Sequence, residues 1–303
     1  MRPTISTSDP AHFLAEAGSA VDAVLVRWAP AVRTLYPGAV GDAIVYAVEG
    51  AGKRLRPALM LAVYEEAGGP GDATELGAAL EVVHTYSLVH DDLPSMDDDD
   101  LRRGRPTVHR VHGVAAATAA GLHMVPLAAR IAAAGCARLG LDARRTGEIA
   151  ATLFRAAGLE GMVAGQVLDL EAEGQPLSAD ELTRVHRAKT GALLAASTEI
   201  GAVAAGLAGE RRVAARAFGA ELGLAFQIVD DVLDAVGNSA QLGKTAGKDA
   251  RQRKATSVAL LGHAGAVAAA ASARARAMDH LRAAGLDSER LAGLTRLVVE
   301  RQS

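Results

Sequence analysis

Apolar side chains recur at helical spacing along nearly the whole chain. The pattern predicts helices over residues 12–28, 41–48, 55–67, 74–93, 114–139, 143–165, 178–206, 211–236, 255–283 and 288–301. Turn residues punctuate the breaks: Pro37-Gly38, Gly68-Gly69-Pro70-Gly71, Gly140, Gly174-Gln175-Pro176 and Gly237-Asn238. Ser178 precedes Glu181 by three positions, the pattern of a capping box. Several predicted helices are apolar on more than one face, as central helices of a large bundle are. No useful stretch alternates with a period of two, and no linker exceeds a few residues. The expectation is a single all-α domain over residues 1–303, a bundle of about ten or more helices.

Composition agrees. Only 3% of residues are aromatic, which argues against a β sandwich or barrel. The net charge of −3 creates no strong field, so no nucleic-acid partner is expected. The single cysteine, Cys136, excludes an internal disulfide framework and a Cys-rich zinc site. Residues 1–9 carry one basic residue and no apolar core, so no secretory signal is expected. The longest apolar runs, 192–209 and 258–273, are rich in Ala and Gly and are interrupted by Glu199 or His263. No integral membrane segment is expected, and the default location is cytoplasmic.

One count is sharper. Of 32 basic residues only five are lysines: Lys53, Lys189, Lys244, Lys248 and Lys254. In so arginine-rich a chain, lysines are expected where a compact ammonium does what a planar guanidinium cannot. All five fall in or near unusual segments.

The first unusual segment places six aspartates in residues 91–100, followed by Arg102, Arg103 and Arg105. A solvated acidic loop is the plain reading. However, Asp91 and Asp92 close an apolar helical run, and Pro94 disfavours its continuation. A break there folds Asp97 back beside the pair, so that three carboxylates share one metal site. The second segment is Phe226-Gln227-Ile228-Val229-Asp230-Asp231-Val232-Leu233-Asp234. Asp230 and Asp234 share a helix face, like charges at that spacing repel, and a cation is wanted opposite. Carboxylates without His or Cys suit Mg²⁺, usually bound together with substrate phosphate. The third is Gly52-Lys53-Arg54-Leu55-Arg56-Pro57, basic at a helix start and suited to an anion. It is not a P-loop, because Ala47 and Arg54 stand where Gly and Ser/Thr are required; Gly243-Lys244-Thr245 fails likewise at Asn238.

These segments, in this order, resemble the trans-type isoprenyl diphosphate synthases (polyprenyl synthetases), over about residues 40–260, and most closely the bacterial farnesyl and geranylgeranyl diphosphate synthases. The resemblance implies helices around a deep central apolar cavity, Mg²⁺ as cofactor and a homodimer. It implies that Lys53, Arg56, His84 and Arg103 hold isopentenyl diphosphate. It assigns Arg102, Lys189, Thr190, Gln227, Lys244 and Lys254 to the allylic diphosphate, with Arg102, Lys189 and Lys244 stabilising the leaving group. Asp91, Asp92 and Asp97, with Asp230, Asp231 and Asp234, become the metal ligands. Residues 161–173, with Gln166 and Asp169, also look like a family segment. One departure is Gly121-Leu122-His123-Met124, where Leu122 stands in place of the family's Asp.

The implied reaction ionises an allylic diphosphate (dimethylallyl or geranyl), condenses it head-to-tail with isopentenyl diphosphate and eliminates a proton. Tyr86, five residues before the first motif, and Ser87 are the implied chain-length residues, and an aromatic floor points to farnesyl diphosphate. Geranylgeranyl diphosphate synthase is the runner-up. A class I terpene cyclase has no use for Lys53, Arg56 and Arg103, and a non-catalytic partner subunit has no use for both aspartate motifs.

Overall fold

A computed structural model describes residues 9–172, 174–236 and 255–300. The chain begins with α1 (Pro10–Leu35), α2 (Ala39–Val48), α3 (Leu55–Glu66) and α4 (Thr74–Asp91). A two-stranded hairpin, β1 (Leu101–Arg102) and β2 (Arg105–Pro106), leads to α5 (Val108–His112), α6 (Val114–Arg138), α7 (Ala143–Ala157) and α8 (Met162–Glu171). After α9 (Ala179–His186), a π turn (Arg187–Gly191) and α10 (Ala192–Ala205) come α11 (Gly209–Val236), α12 (Ser257–Ala283) and α13 (Glu289–Val299). The all-α expectation holds.

Helices α3, α4 and α10 are buried along most of their length and form the centre of the bundle. α6 lies along α4, and α11 is packed between α10 and α12. Close approach explains Gly201 on α10: a Cβ there would stand 2.5 Å from the carbonyl oxygen of Met60 on α3. α4 lies in this core, and α11 packs onto it through α10.

The pattern misses five local features. α1 runs through Pro30 to Leu35, because Leu25, Ala29 and Val32 continue one buried stripe past the missing N–H. The predicted helix 143–165 is two helices. Gly158 and Gly161 weaken the middle, and the Tyr86 hydroxyl donates to the Ala157 carbonyl at the break, 2.6 Å away. The predicted helix 178–206 keeps its capping box, with Ser178 N–H donating to Glu181 Oε2 at 2.8 Å, but carries the π turn in its middle. The β hairpin turns on Arg103 and Gly104, both at positive φ. α5 is a further short helix before α6.

Two helices bear on the expectation of no integral membrane segment. Val114–Arg138 and Ser257–Ala283 are each long and apolar enough to cross a membrane. Their length comes from Ala-rich helices that pack on α4 and α11 respectively. Leu122, in place of the resembled family's Asp, points outward on α6 and is exposed.

Candidate active site

α4 ends at Asp91, with Asp92 as its C-cap. Beyond Pro94 the backbone coils back: Asp97 N–H donates to the Asp91 carbonyl at 2.8 Å, and Asp99 N–H to that of Asp92 at 3.3 Å. The predicted break thus returns Asp97 to the pair. Burial pushes the Asp91 carboxyl up to about 6; Lys189 opposes this, while Asp97 and Asp92 add to it. Asp92 is only 3% exposed, and its Oδ1 accepts from Arg102 Nε at 2.9 Å and from Arg102 Nη2. Burial raises the Asp92 carboxyl as well, against the pull of Arg102. The hairpin residue Arg102 also reaches Asp99, at 3.3 Å.

On α11, Asp230, Asp231 and Asp234 follow one unbroken helix. Asp231 is 6% exposed and faces the protein. Its Oδ2 accepts from the Ser257 N–H at the start of α12 at 2.7 Å, and its Oδ1 accepts from Gln227 Nε2 at 3.4 Å. His186 Nε2 stands 3.7 Å from the same carboxylate, but burial holds that imidazole down to about 4, so it is neutral near pH 7. Asp230 is half-buried and Asp234 exposed.

Lys189 and Thr190 lie in the π turn. Lys189 Nζ pairs with Asp169 Oδ2 of α8 at 2.6 Å, and Thr190 Oγ1 donates to Gln227 Oε1 at 2.8 Å. α8 approaches so closely that a Cβ on Gly165 would stand 2.2 Å from the Lys189 nitrogen. Lys189 also acts on Asp91, and Thr190 reaches Asp231 through Gln227, so the π turn touches both aspartate clusters.

A group of basic residues adjoins these clusters. Arg56 is half-buried with no partner for its Nε–H. Burial lowers it to about 10; Glu81 and Asp230 oppose this, and Arg103 adds to it. His84 is held well below its ordinary range, first by burial and then by Arg56, Arg103, Arg54 and Arg102. Arg103 donates to the Ala51 carbonyl, and Lys53 is exposed on the same loop. Tyr86 is 7% exposed, its ring edge-on to His90 at 5.9 Å. Burial, with Asp91 adding, pushes its hydroxyl up to about 12. Ser87 Oγ donates to the His84 carbonyl at 2.8 Å. Lys244, Lys248 and Lys254 lie outside the described residues.

Among the described residues, no three His, Cys, Asp or Glu side chains converge into a ready-made metal cage. The donors nevertheless fit Mg²⁺: they are hard carboxylate oxygens, and Mg²⁺ is commonly held by one or two carboxylates with substrate phosphate. The motif reading missed Glu81, Asp22 and His186, and it left Arg54 and Asp169 without partners. Glu81 does leave a trace, as a lone charge within an apolar helical run.

Comparison with known proteins identifies the family. The polyprenyl synthetase family profile matches residues 38–291. A farnesyl diphosphate synthase from Geobacillus stearothermophilus is 42% identical over 292 residues, covering 96% of this chain and 97% of that protein. The apo structure of an FPP/GFPP synthase from Zymomonas mobilis superposes with a TM-score of 0.83 at 33% identity, covering 95% of this chain and 98% of that one. A geranyltransferase from Helicobacter pylori, complexed with magnesium and isoprenyl diphosphate, superposes at 0.78 with 28% identity and 97% of both chains covered. With the family profile spanning residues 38–291 and a relative 42% identical along nearly its whole length, the chain belongs to the polyprenyl synthetase family.

Proposed function

We propose that the protein is an Mg²⁺-dependent isoprenyl diphosphate synthase that joins isopentenyl diphosphate to dimethylallyl or geranyl diphosphate and yields farnesyl diphosphate. The observation that carries this reading is the meeting of carboxylates and cations: Arg102 is bonded to Asp92 and Lys189 acts on Asp91, while Asp230 acts on Arg56 and Asp92 on Arg103, with His84 beside both arginines.

In the reaction, the allylic carbon–oxygen bond breaks and its electron pair leaves with pyrophosphate. The isopentenyl double bond supplies the pair for the new carbon–carbon bond, and the resulting cation loses a proton to the departing pyrophosphate. Lys53, Arg56, His84 and Arg103 bind the isopentenyl diphosphate. Neutral His84 contributes a hydrogen bond there without adding to the guanidinium repulsion. Arg102, Lys189, Thr190 and Gln227 bind the allylic diphosphate, together with Lys244 and Lys254, and Arg102, Lys189 and Lys244 stabilise the charge that develops on it. Asp91, Asp97, Asp230 and Asp234 would hold Mg²⁺, with Asp92 and Asp231 contributing whatever their protein contacts leave. Bound Mg²⁺ supplies the positive charge that neutralises the leaving pyrophosphate. The surrounding apolar helices keep water from the carbocation.

The direct test incubates purified protein with isopentenyl diphosphate, each allylic diphosphate and Mg²⁺. Farnesyl diphosphate is the expected product. Geranylgeranyl diphosphate would reassign the chain length, hydrocarbon release would make the protein a cyclase, and no turnover by folded protein would make it a non-catalytic partner. Tyr86, with Ser87 beside it, is the proposed floor of the product pocket, so Tyr86→Ala should lengthen the product on chromatography. The same reading makes the protein a cytoplasmic homodimer, which light scattering and cell fractionation check.

A further inference from the structure

The basic loop is held from beneath by groups that bind no substrate in the proposed reaction. Arg54 caps α3 in the left-handed region, at φ +49°, an uncommon place for a side chain of this size. Its guanidinium is buried and almost fully paired. Nε donates to Asp22 of α1 at 2.8 Å, and Nη1 donates to Glu81 of α4 at 2.6 Å. Nη2 donates to the carbonyls of Val48 and Gly50, at 3.2 and 2.8 Å. Four of its five N–H groups are thereby committed, which leaves little for a phosphate. The neighbours Lys53 and Arg56 are set by this anchoring.

Glu81 is the other half of the device. It is 2% exposed, on α4 one turn before His84. Besides its bond to Arg54, its charge acts favourably on both Arg56 and Arg103. One carboxylate thus offsets the mutual repulsion of three guanidinium groups, two of which face the second substrate. A buried charge pair of this kind adds little net stability, so its worth is better sought in geometry.

We propose that Arg54 and Glu81 are positioning residues for the isopentenyl diphosphate site: their ion pair fixes the loop that presents Lys53 and holds Arg56 and Arg103 together before that substrate arrives. This rests on the proposed synthase reaction. The test titrates isopentenyl diphosphate at saturating allylic diphosphate, and the reverse, with the full-length enzyme. Glu81→Gln should raise KM for isopentenyl diphosphate about tenfold or more, while KM for the allylic diphosphate moves less than about twofold. Arg54→Lys, which keeps the charge but loses the fork, should show the same split. If either variant fails to fold by circular dichroism, Asp22→Asn carries the test. Its half-exposed carboxylate shares Arg54, and about a threefold rise in the same KM is expected. Equal shifts in both KM values, or a change in kcat alone, would overturn the positioning role. Wild-type enzyme that fails to couple the two diphosphates would instead overturn the synthase reading itself, and the positioning role with it.

Discussion

At the end of α4 three aspartates are gathered by a helix that breaks, whereas on α11 three are carried by one that continues. Pro94 turns the chain so that Asp97 returns to Asp91 through a backbone hydrogen bond. On α11 the helical repeat alone brings Asp230 and Asp234 to one face. The second aspartate of each pair nevertheless has the same fate: Asp92 is buried on Arg102 and Asp231 on Ser257. Their neighbours Asp91, Asp97, Asp230 and Asp234 remain nearer to solvent. Each cluster therefore combines an anchor with the carboxylates proposed as ligands, and the anchors tie those carboxylates to different parts of the fold. Asp92 ties to the β hairpin, and Asp231 ties to α12.

That division is open to test. The largest effect is expected at a ligand position: Asp230→Ala should lower kcat by on the order of 10³-fold with the fold intact, read by steady-state kinetics and circular dichroism. Near-normal turnover would exclude it from the metal site. The next effect is on pH dependence behind the α11 anchor. His186 is neutral in the fold, with its titration lowered to about 4 from an ordinary 6.5. Between those values the unfolded chain takes up a proton that the folded chain refuses. The His186 contribution to stability is therefore full above pH 6.5 and is lost as the medium is acidified, by about 3 kcal/mol at pH 4, while the raised Asp91 carboxyl acts in the opposite sense. In urea unfolding of metal-free protein, His186→Gln should lose less stability on acidification than the wild type. An equal loss in the variant would remove His186 as its source.

Smaller effects separate anchor from ligand. Asp231→Ala leaves the Ser257 N–H without its acceptor and should cost about 1–3 kcal/mol in urea unfolding, while Asp231→Asn, which keeps an acceptor oxygen, should recover most of it. Equal stability of the two variants would deny the anchor. Smallest is Tyr86→Phe, which loses one hydrogen bond to the Ala157 carbonyl. It should cost about 1 kcal/mol without changing the product, whereas an altered product would give the hydroxyl a role of its own.

Much of this architecture is legible in the chain. The apolar spacing marks α4 and α11, Pro94 marks the turn that recovers Asp97, and Ser178 with Glu181 marks the start of α9. Those signals are local, reaching at most one helical turn. The pairs that complete the site span longer distances: Arg54 with Glu81, Lys189 with Asp169, Asp231 with Ser257. Nothing in their spacing announces them, because tertiary packing chooses the partner. Helix propensity also cannot reveal that a carbonyl freed at Ala157 finds the Tyr86 hydroxyl, so one predicted helix becomes two. The π turn at 187–191 is hidden for a similar reason: Arg187, Ala188 and Lys189 are good helix formers, and only the fit against α8 reveals the change of pitch.

The π turn gives chain length a meaning at one point of the fold. A π turn holds one residue more than the α turn it replaces. Deleting a residue between 187 and 191 would restore a regular helix and swing α9 by about 100° relative to α10. His186 would leave Asp231, and Lys189 and Thr190 would lose their separate partners, Asp169 and Gln227. Substitutions in this turn can be graded by size and charge. A change in the count of residues cannot, because it would reset the phase between the two halves of the molecule.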